Sequence, residues 1–481
     1  MNKGAVLQRY VPLICWLAVF LTALFICVKI LGYGFIPPGD ARRHVARPFA
    51  HKPYSEIMVV RPQYVVDHSI GWESLLGALN RAFGWNEDQL IIFSFVSMAL
   101  FVLCFPLIWV RHPEAWFAAV LAQTIAVPDL MSRWGQARPF LLTEGILMGL
   151  LFSWSKEDGS NPPWWKIAMT WLGFTFSVWL HGAWYLWVLL FVAFALAQRW
   201  RAAAWLAGCW VAGVVAGSLL TGRPIAYLKT AIFMATCVYQ EHVPKWLLVG
   251  EFQPSAGEFA SLTVLSIVYL WLRRYAKAGL SRQPVFWMIL MSWVLGLSAD
   301  RFWLDWGIAA AVVWMAMQFD EAIPILCPAP MKRLIACGCI LLPLFLLSTN
   351  DMGRRYTSCL TEPFLDAKDP QMKGWMPGKG GIFYSDNMQF FYNTFYKNPE
   401  ADWRYIVGFE PALMPEDDLK IYRNIHRANG AYEAYKPWIA KMRKQDRLEV
   451  ARDSQPDLPK LEWKHGPGDV WIGRLSEGKK R

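Results

Sequence analysis

Residues 10–32 read YVPLICWLAVFLTALFICVKILG, an apolar run that is broken by the single charge of Lys29. The run is long enough for a helix that spans the hydrocarbon core of a membrane, which takes about 20 residues. It is too long for the apolar core of a signal peptide, and it lacks a small-residue cleavage site. We therefore interpret it as a retained first transmembrane helix, preceded by Arg9.

The composition extends this interpretation to most of the chain. Of the 481 residues, 55% are hydrophobic, and 28 are tryptophan, a residue that is enriched at the ends of membrane helices. The formal net charge is +11, but the basic residues fall in short loops between apolar runs or in the polar tail. A nucleic-acid-binding protein would carry them on one solvated face of a recognition fold, so we expect no nucleic-acid partner.

Apolar runs along the chain predict about eleven transmembrane helices. The runs are residues 10–32, 89–110, 115–127, 139–154, 165–180, 183–198, 203–220, 258–272, 285–299, 302–319 and 332–348. If the N-terminus is cytoplasmic, every cytoplasmic loop is basic, as the positive-inside rule requires. Those loops contain Arg111, Lys156, Lys166, Arg199, Arg201, Arg273, Arg274, Lys277, Arg282, Lys332 and Arg333. The sequence thus predicts a multi-pass protein of the bacterial inner membrane whose residues after 350 are periplasmic.

The long loop after the first helix, residues 33–88, contains two predicted helices. Pro37-Pro38-Gly39 breaks the chain, and Asp40 can cap a short helix that Pro48 ends. The second helix is predicted at Gly71–Phe83, where the apolar residues share one face. We expect both helices to lie in the membrane interface.

The C-terminal part of the chain alternates predicted strands and helices, which is typical of a small α/β domain. Strands are predicted at 381–386, 403–409, 447–450, 461–465 and 469–475, and helices at 387–397, 417–426 and 432–442. Asp386, Asp402, Glu416 and Asp417 have the positions of capping and surface acids. We therefore divide the chain into a transmembrane domain, residues 1–349 including the first loop, and an accessory periplasmic domain, residues 350–481.

Ionisable residues gather on the predicted periplasmic side. Such groups are costly at a bilayer boundary unless they belong to a site or pathway. At residues 129–144 and 300–305 acids and bases are mixed and enter apolar runs, which suggests the polar floor of a cavity. His181, Glu241 and His242 are on the same side.

The order of these elements resembles the GT-C superfamily of integral-membrane glycosyltransferases. A single first helix, a long outer loop with interfacial helices, a polytopic bundle and an outer C-terminal domain are all present. The local motif is Pro37-Pro38-Gly39-Asp40-Ala41-Arg42-Arg43-His44, which places an acid just after the first helix. The resemblance implies transfer of a sugar from a polyprenyl-phosphate donor to an acceptor on the outer face, in the assembly of a cell-envelope or surface glycan.

On this resemblance Asp40 is the catalytic residue. A carboxylate there can deprotonate the acceptor hydroxyl or hold a divalent metal, while arginine and histidine neutralise the phosphate leaving group. Arg301 or Arg223 is expected to bind that phosphate, and the apolar bundle to hold the lipid. The residues predicted to bind substrate are Arg42, Arg43, His44, Asp67, His68, Asp129, Arg133, Arg138, Arg223, Asp300, Arg301 and Asp305.

Metal binding is left open by one departure from the superfamily. Many members carry two adjacent acids where this chain has Gly39-Asp40. Asp67 or Asp129 is the candidate for a second carboxylate, but the sequence does not bring either of them to Asp40. No cofactor is assigned.

Two other classes of protein also fit an apolar bundle with one polar side. A transporter or flippase for a lipid-linked saccharide would place its charges near the bilayer midplane and build its helices as inverted repeats. A non-catalytic scaffold of a polysaccharide or envelope assembly complex would bind its partner through the tail, and Asp40 would then be only a helix cap. A scaffold would tolerate Asp40→Asn, whereas an enzyme would not.

Overall fold

The computed structural model describes residues 3–156, 161–237, 247, 250–255, 259–272 and 279–476. Arg273, Arg274 and Lys277 of the predicted cytoplasmic loops, and Glu241 and His242, lie outside these residues. In chain order the helices are α1 (Lys3–Leu31), α2 (Asp40–Ala50), α3 (Tyr54–Ile57), α4 (Ile70–Phe83), α5 (Glu87–Cys104), α6 (Pro113–Ala126), α7 (Leu130–Trp134), α8 (Phe140–Ser155), α9 (Trp164–Leu180), α10 (Val188–Leu196), α11 (Trp200–Leu219), α12 (Pro224–Cys237), α13 (Phe259–Leu272), α14 (Pro284–Gly296), α15 (Ile308–Leu326), α16 (Pro330–Thr349), α17 (Met388–Lys397), α18 (Glu416–Arg427) and α19 (Lys436–Lys441). The strands are β1 (Ile382–Tyr384), β2 (Arg404–Tyr405), β3 (Arg447–Ala451), β4 (Leu461–His465) and β5 (Val470–Leu475).

The chain packs into two compact units, each assembled from segments that are distant in sequence. The first unit consists of residues 1–36, 92–222 and 251–357, and the second of residues 37–91, 223–250 and 358–481. The first loop therefore packs with the tail in the second unit. The predicted boundary at residue 349 instead assigns that loop to the membrane domain, and this boundary stays a prediction.

Five helical stretches in the described part of the chain are long and apolar enough to cross a membrane. They are Tyr10–Leu31, Glu87–Trp109, Trp200–Leu219, Phe302–Leu326 and Pro330–Thr349. Shorter apolar helices are Phe140–Ser155, Trp184–Leu196, Pro224–Cys237, Phe259–Trp271 and Pro284–Gly296. All eleven predicted runs fall on helices. The helices that are not among the five long stretches are short for a span of about 20 residues, so the total of eleven stays a prediction.

A π-helical segment, Phe302–Gly307, precedes α15 and places Asp305 in the interior of the first unit. Trp303 anchors this segment against α14, because a Cβ at Gly296 would lie only 2.8 Å from the Cβ of Trp303. Asp305, two residues further on, has a fully buried side chain. Segments of this type are frequent at functional sites.

The tail forms a five-stranded mixed sheet in the order β2-β1-β3-β5-β4. β1 is parallel to β2 and β3, whereas β5 is antiparallel to β3 and β4. Phe383, Leu448 and Ile472 of this sheet are fully buried. The predicted strands and helices of the tail are confirmed, with ends that differ by a few residues.

The first loop adds a short segment beside β2, the edge strand of this sheet. Met58 pairs in parallel with Tyr405, and the N–H of Val59 donates to the Tyr405 carbonyl at 2.9 Å. The N–H of Arg61 donates to the Leu413 carbonyl at 2.8 Å. The first loop and the tail therefore share backbone hydrogen bonds as well as side-chain contacts.

The two helices predicted in the first loop are present, with one correction. α4 matches the predicted helix, but α2 begins at Asp40, so Asp40 is not the cap: Gly39 is, and no side chain caps the helix. Nor does Pro48 end α2, which continues to Ala50. The proline removes only the hydrogen bond that an N–H at position 48 would donate to the His44 carbonyl, and the helix continues for two more residues.

Candidate active site

Asp40 lies at the first position of α2, directly after a left-handed glycine. The φ angle of Gly39 is 66°, a conformation that is costly for residues with a Cβ. The Asp40 side chain is 26% exposed, whereas those of Arg42 and Arg43 are fully buried. An accessible carboxylate is thus held at the start of a helix whose next turn enters the core of the second unit.

Arg43 lies at the centre of a network of polar side chains that adjoins Asp40. Its Nε donates to Oδ1 of Asp40 at 3.1 Å, and its Nη1 donates to Oδ2 of Asp67 at 2.8 Å. Nη1 also donates to the Tyr54 hydroxyl at 2.7 Å, and the guanidinium lies 4.0 Å from the centre of the Phe409 ring. Because the planar guanidinium fixes the directions of its donors, it sets the position of the Asp40 carboxylate.

Asp67 is the buried counter-ion of Arg43. Its carboxylate also accepts hydrogen bonds from the Tyr64 hydroxyl and, at 2.7 Å, from the N–H of Ser69. Burial alone would raise the pKa of Asp67, but the Arg43 guanidinium outweighs burial and holds that pKa well below its usual range. Asp67 is therefore ionised, and its oxygens are engaged in holding the network together.

His44 bridges Arg43 and Glu73. Its Nε2 lies 3.2 Å from Nη2 of Arg43, and its Nδ1 lies 3.2 Å from Oε1 of Glu73. Because a guanidinium only donates, Nε2 must accept, which places the ring proton on Nδ1. The geometry thus makes His44 a buried support of Arg43, and substrate binding by His44 stays a prediction.

Glu73 of α4 is a further member of this network, through contacts with His44 and Tyr54. It was not among the predicted site residues. Its Oε1 accepts from the Tyr54 hydroxyl at 2.7 Å. Burial raises the pKa of Glu73 to about 8, and the nearby Asp67 carboxylate contributes to the rise. At neutral pH most Glu73 is therefore protonated, which avoids a second buried negative charge beside Asp67.

Arg42 is directed to the tail. Its Nη1 donates to the Glu362 carboxylate and to the amide oxygen of Asn393, and its guanidinium lies 4.8 Å from the centre of the Phe364 ring. Gln389, one turn before Asn393 on α17, donates to the same Glu362 carboxylate at 3.0 Å. Arg42 thus joins the first loop to α17, and its predicted contact with substrate stays a prediction.

Tyr392, also on α17, brings the tail to Asp40 itself. Its hydroxyl lies 3.3 Å from Oδ1 of Asp40 and 3.3 Å from the carbonyl oxygen of Phe409. A phenol has one proton to donate, so these two acceptors share it. The Asp40 oxygen is thereby placed between the Arg43 guanidinium and the Tyr392 hydroxyl.

Two more of the predicted substrate-binding residues, His68 and Arg223, belong to the second unit. Nδ1 of His68 is 3.9 Å from the Asp67 carboxylate, and burial lowers the pKa of this histidine. The backbone carbonyl of His68 accepts from the Tyr227 hydroxyl at 3.3 Å, which ties α12 to the first loop. Arg223 is exposed and immediately precedes α12.

The first unit contains a second cluster of predicted residues, centred on Arg133. Its Nε donates to Oδ1 of the buried Asp305 at 3.0 Å, and its Nη1 donates to Glu251. Arg138 donates to the same Glu251 carboxylate. Burial alone would raise the pKa of Glu251, but Arg138 and Arg133 hold it well below its usual range. Glu251 was missed by the sequence analysis, because one acid in a long loop carries no signal of its partners.

The other predicted residues of the first unit differ in exposure. Arg301 donates through Nε to Asp305 at 3.2 Å and is 25% exposed, with its guanidinium over the ring of Phe140. Burial raises the pKa of Asp300. The side chain of Asp129, just before α7, is exposed. The mixed acids and bases at 129–144 and 300–305 therefore meet through Arg133 and Asp305.

The residues around Asp40 fit an ion-paired network better than a metal site. No three His, Cys, Asp or Glu side chains in the described ranges are grouped as a metal ion would require. Asp40 and Asp67 each direct an oxygen to Arg43, a cation that already neutralises them. No step of the proposed reaction is therefore routed through a metal.

Comparison with known proteins identifies the fold. No protein-family model matches the sequence, and no curated protein matches it. The structure is similar to the apo form of the oligosaccharyltransferase of Archaeoglobus fulgidus, with a TM-score of 0.51 and 11% identity over 90% of this chain and 69% of that one. It is also similar to the oligosaccharyltransferase AglB of the same organism in complex with an inhibitory peptide and a dolichol-phosphate, with a TM-score of 0.54 and 12% identity over 96% and 74% of the two chains. These are GT-C membrane glycosyltransferases, so the predicted resemblance is confirmed at the level of the fold.

Proposed function

We propose that this protein is a GT-C type membrane glycosyltransferase that moves a sugar from a polyprenyl-phosphate donor to an acceptor at the periplasmic face. The shared fold supports the proposal, as does the dolichol-phosphate held by one of the similar structures. The apolar helices supply the membrane environment in which such a donor dissolves. The N-terminus is then cytoplasmic, the tail lies in the periplasm of a bacterial cell, and the product belongs to a cell-envelope or surface glycan.

The observation that carries the proposal is the contrast between Asp40 and its partners. The Asp40 carboxylate is partly exposed, while the Arg43 guanidinium that holds it is fully buried. A reactive group needs access to its substrate and a fixed direction, and buried hydrogen-bonded neighbours supply that direction. A mere helix cap would need neither Arg43 nor Tyr392, and Asp40 does not cap α2.

In the proposed reaction an acceptor hydroxyl attacks the anomeric carbon of the donor sugar. A new carbon–oxygen bond forms, the bond from that carbon to the phosphate oxygen breaks, and the phosphate leaves with the bonding electrons. The acceptor proton passes to the Asp40 carboxylate, which the Nε of Arg43 holds in position. Asp40 later releases this proton to solvent through its exposed side.

Arg223 stays a proposed phosphate ligand, and so does Arg301 of the first unit. Its Nε binds Asp305, while its Nη groups make no hydrogen bond to the described residues and its side chain is partly exposed. Arginine suits phosphate because its parallel donors match two phosphate oxygens. Arg133 is fully paired with Asp305 and Glu251, so we assign it to holding the cluster together rather than to the substrate.

Asp40→Asn tests the proposal directly. The variant keeps the size and position of the side chain, so membrane insertion and folding should survive, while transfer falls by a factor on the order of 100 or more, the scale of lost general-base catalysis. Purified protein at matched abundance is assayed with a radiolabelled polyprenyl-phosphate sugar. Asp40→Glu, which keeps the charge, should retain part of the activity, and Asp417→Asn, at an exposed acid of α18, serves as the matched control. Transfer by the Asp40→Asn variant within about twofold of wild type would remove Asp40 from catalysis.

A further inference from the structure

A cavity of about 510 Å³ opens in the second unit at the start of α17. Its walls come from four parts of the tail: residues 386–392 at the start of α17, one side of α18, Tyr435, and residues 451–452 at the end of β3. A volume of this size lies within the range of small-molecule sites in proteins, roughly 300–1,000 Å³. Its acid Asp386, interpreted from the sequence as a capping or surface residue, lines this cavity.

This cavity adjoins the candidate active site through α17. Tyr392 lines the cavity, and its hydroxyl lies 3.3 Å from Oδ1 of Asp40. Gln389 also lines the cavity, and its amide donates to Glu362 and Asn393, which both accept hydrogen bonds from Arg42. One helix therefore presents the same side chains to the cavity and to the network around Asp40.

The lining of the cavity combines aromatic rings with paired polar groups. Tyr422 and His426 are in contact, with ring centres 4.4 Å apart, and Tyr435 lies in the same wall. Asp386 and Arg452 supply a carboxylate and a guanidinium. Sugars match the polar part of this lining, since their hydroxyls pair with carboxylate, amide and guanidinium groups, while the buried rings of Tyr422 and Tyr435 shape the wall.

Hydrogen bonds hold the wall of the cavity in place. The Ser385 hydroxyl donates to Glu449 at 2.6 Å, and Glu449 is fully buried in β3. His426 Nε2 lies 3.1 Å from the carbonyl oxygen of Asp386, to which it donates. Nη2 of Arg452 donates to the carbonyl of Gly430 at 2.8 Å. A site fixed in this way binds its ligand without first having to be ordered.

We propose that this cavity binds the carbohydrate part of the acceptor, one or two sugar units long, and presents its hydroxyl on the Tyr392 side, toward Asp40. The assignment rests on the proposed function and adds to it the chemical class of the acceptor and the place where it binds. It makes the tail the acceptor-binding part of the enzyme, whereas the sequence indicated only an accessory domain.

Ala451→Trp provides the test, because Ala451 is exposed at the end of β3 and lines the cavity. An indole there fills the space for the ligand without removing any existing contact. Ala440→Trp, at an exposed alanine of α19 outside the cavity, is the matched control. The full chain in lipid nanodiscs is examined by saturation-transfer NMR with methyl glucoside, methyl galactoside, methyl mannoside, N-acetylglucosamine and their β-linked disaccharides as probes.

We expect at least one of these probes to bind the wild type and the Ala440→Trp variant alike. Binding to the Ala451→Trp variant should be at least about tenfold weaker, because the indole collides with the sugar. Met388→Trp, which fills the cavity from α17, should act in the same way and guards against a folding defect in one variant. Equal loss in the Ala440→Trp control, no binding of any probe to the wild type, or preferential binding of a peptide would overturn the assignment.

The same set of proteins separates this assignment from the proposed function. Binding of the polyprenyl-phosphate sugar should be unchanged in the Ala451→Trp variant, while its transfer to the acceptor is lost. If saccharides bind in the cavity but no variant or wild type turns over the donor, the proposed function fails and the binding site stands. If the donor is turned over and the cavity variants have wild-type KM for the acceptor, the site fails and the function stands.

Discussion

The hydroxyl of Tyr392 lies 3.3 Å from Oδ1 of Asp40, although the two residues are 352 positions apart in the sequence. Arg43 approaches the same oxygen through its Nε at 3.1 Å. The Asp40 carboxylate is therefore held by the first loop on one side and by the tail on the other. The residues that contact the Asp40 carboxylate can each be tested by substitution.

Tyr392→Phe should lower transfer while leaving the fold intact, because the ring stays in place and only the hydroxyl is lost. A hydrogen bond to a charged group contributes roughly 1.5–3 kcal/mol, so we expect kcat to fall by about tenfold or more. The pH profile of kcat should also shift, since Asp40 loses a donor. If thermal stability falls but kcat and its pH profile do not change, Tyr392 has only a structural role.

Arg43→Lys should destabilise the second unit despite keeping the charge. A lysine cannot reach Asp40, Asp67 and Tyr54 at once, which leaves a buried carboxylate poorly paired at a cost on the order of 3 kcal/mol. Thermal unfolding in detergent measures the loss. Lys420→Ala is the control, because Lys420 and Asp417 form an ion pair on the surface with side chains 56% and 83% exposed. If Arg43→Lys and Lys420→Ala lowered the thermal stability by similar amounts, Arg43 would not be the residue that holds this network together.

Stability should fall as the pH rises from about 4.5 to about 8. Burial raises the pKa of both Glu73 and Glu449 to about 8 in the folded chain, so there each keeps a proton that the unfolded chain releases near its ordinary pKa. Their contribution is complete below about 4.5 and is lost as the pH passes 8, on the order of a few kcal/mol for each group. Asp67 acts in the opposite direction, but only below its ordinary pKa, outside this window.

Replacing both glutamates by glutamine tests this pH dependence, since glutamine keeps the neutral form at every pH. The dependence of the melting temperature on pH between 5 and 8 should be shallower in the double variant, with each single variant between it and wild type. A slope unchanged by both substitutions would show that these two groups do not hold their protons in the folded state.

Arg301→Gln should weaken binding of the donor more than it slows the chemical step. Loss of a guanidinium–phosphate contact is expected to raise KM for the polyprenyl-phosphate sugar by about tenfold, with Arg301→Lys intermediate. Arg427→Gln, at an exposed arginine of α18, is the control. An unchanged KM in the Arg301→Gln variant would direct the search for the phosphate ligand to Arg223.

Reporter fusions test the predicted orientation. Fusions after Arg201 and after Arg282 should report the cytoplasm, and a fusion after Asn350 should report the periplasm. A cytoplasmic signal after Asn350 would place the tail on the wrong side of the membrane for the proposed function.

The tail could be predicted from sequence almost element by element. Its strands and helices are separated by turn residues, as at Gly466-Pro467-Gly468. The local sequence pattern was therefore sufficient to predict each strand and helix. The position of Asp40 was also accessible, because Pro37-Pro38-Gly39 interrupts the chain after the first helix. The cap was misplaced by one residue because aspartate and glycine both suit that position, and only the φ of 66° at Gly39 decides between them.

Only some of the residues that contact Asp40 could be predicted from the sequence. Arg43 is one helical turn away and could be expected, whereas Tyr392 could not, because contacts between distant segments leave no trace in local periodicity. Glu73 did leave a signal: it stands three residues before Leu76 on an amphipathic helix, and so adjoins its apolar face. A carboxylate at such a position predicts a buried partner.

The segment from Met58 to Arg61 has a consequence for how the protein is made. It lies along β2, the outermost strand of the tail sheet, and supplies hydrogen bonds to Tyr405 and Leu413. The ribosome synthesises this segment long before the tail, so the segment can pair with β2 only after the tail has been made. Until then the segment has no strand to pair with, and a tail released without it would expose an open sheet edge that invites aggregation. The order of synthesis thus makes the arrival of the tail the step that assembles the surroundings of Asp40.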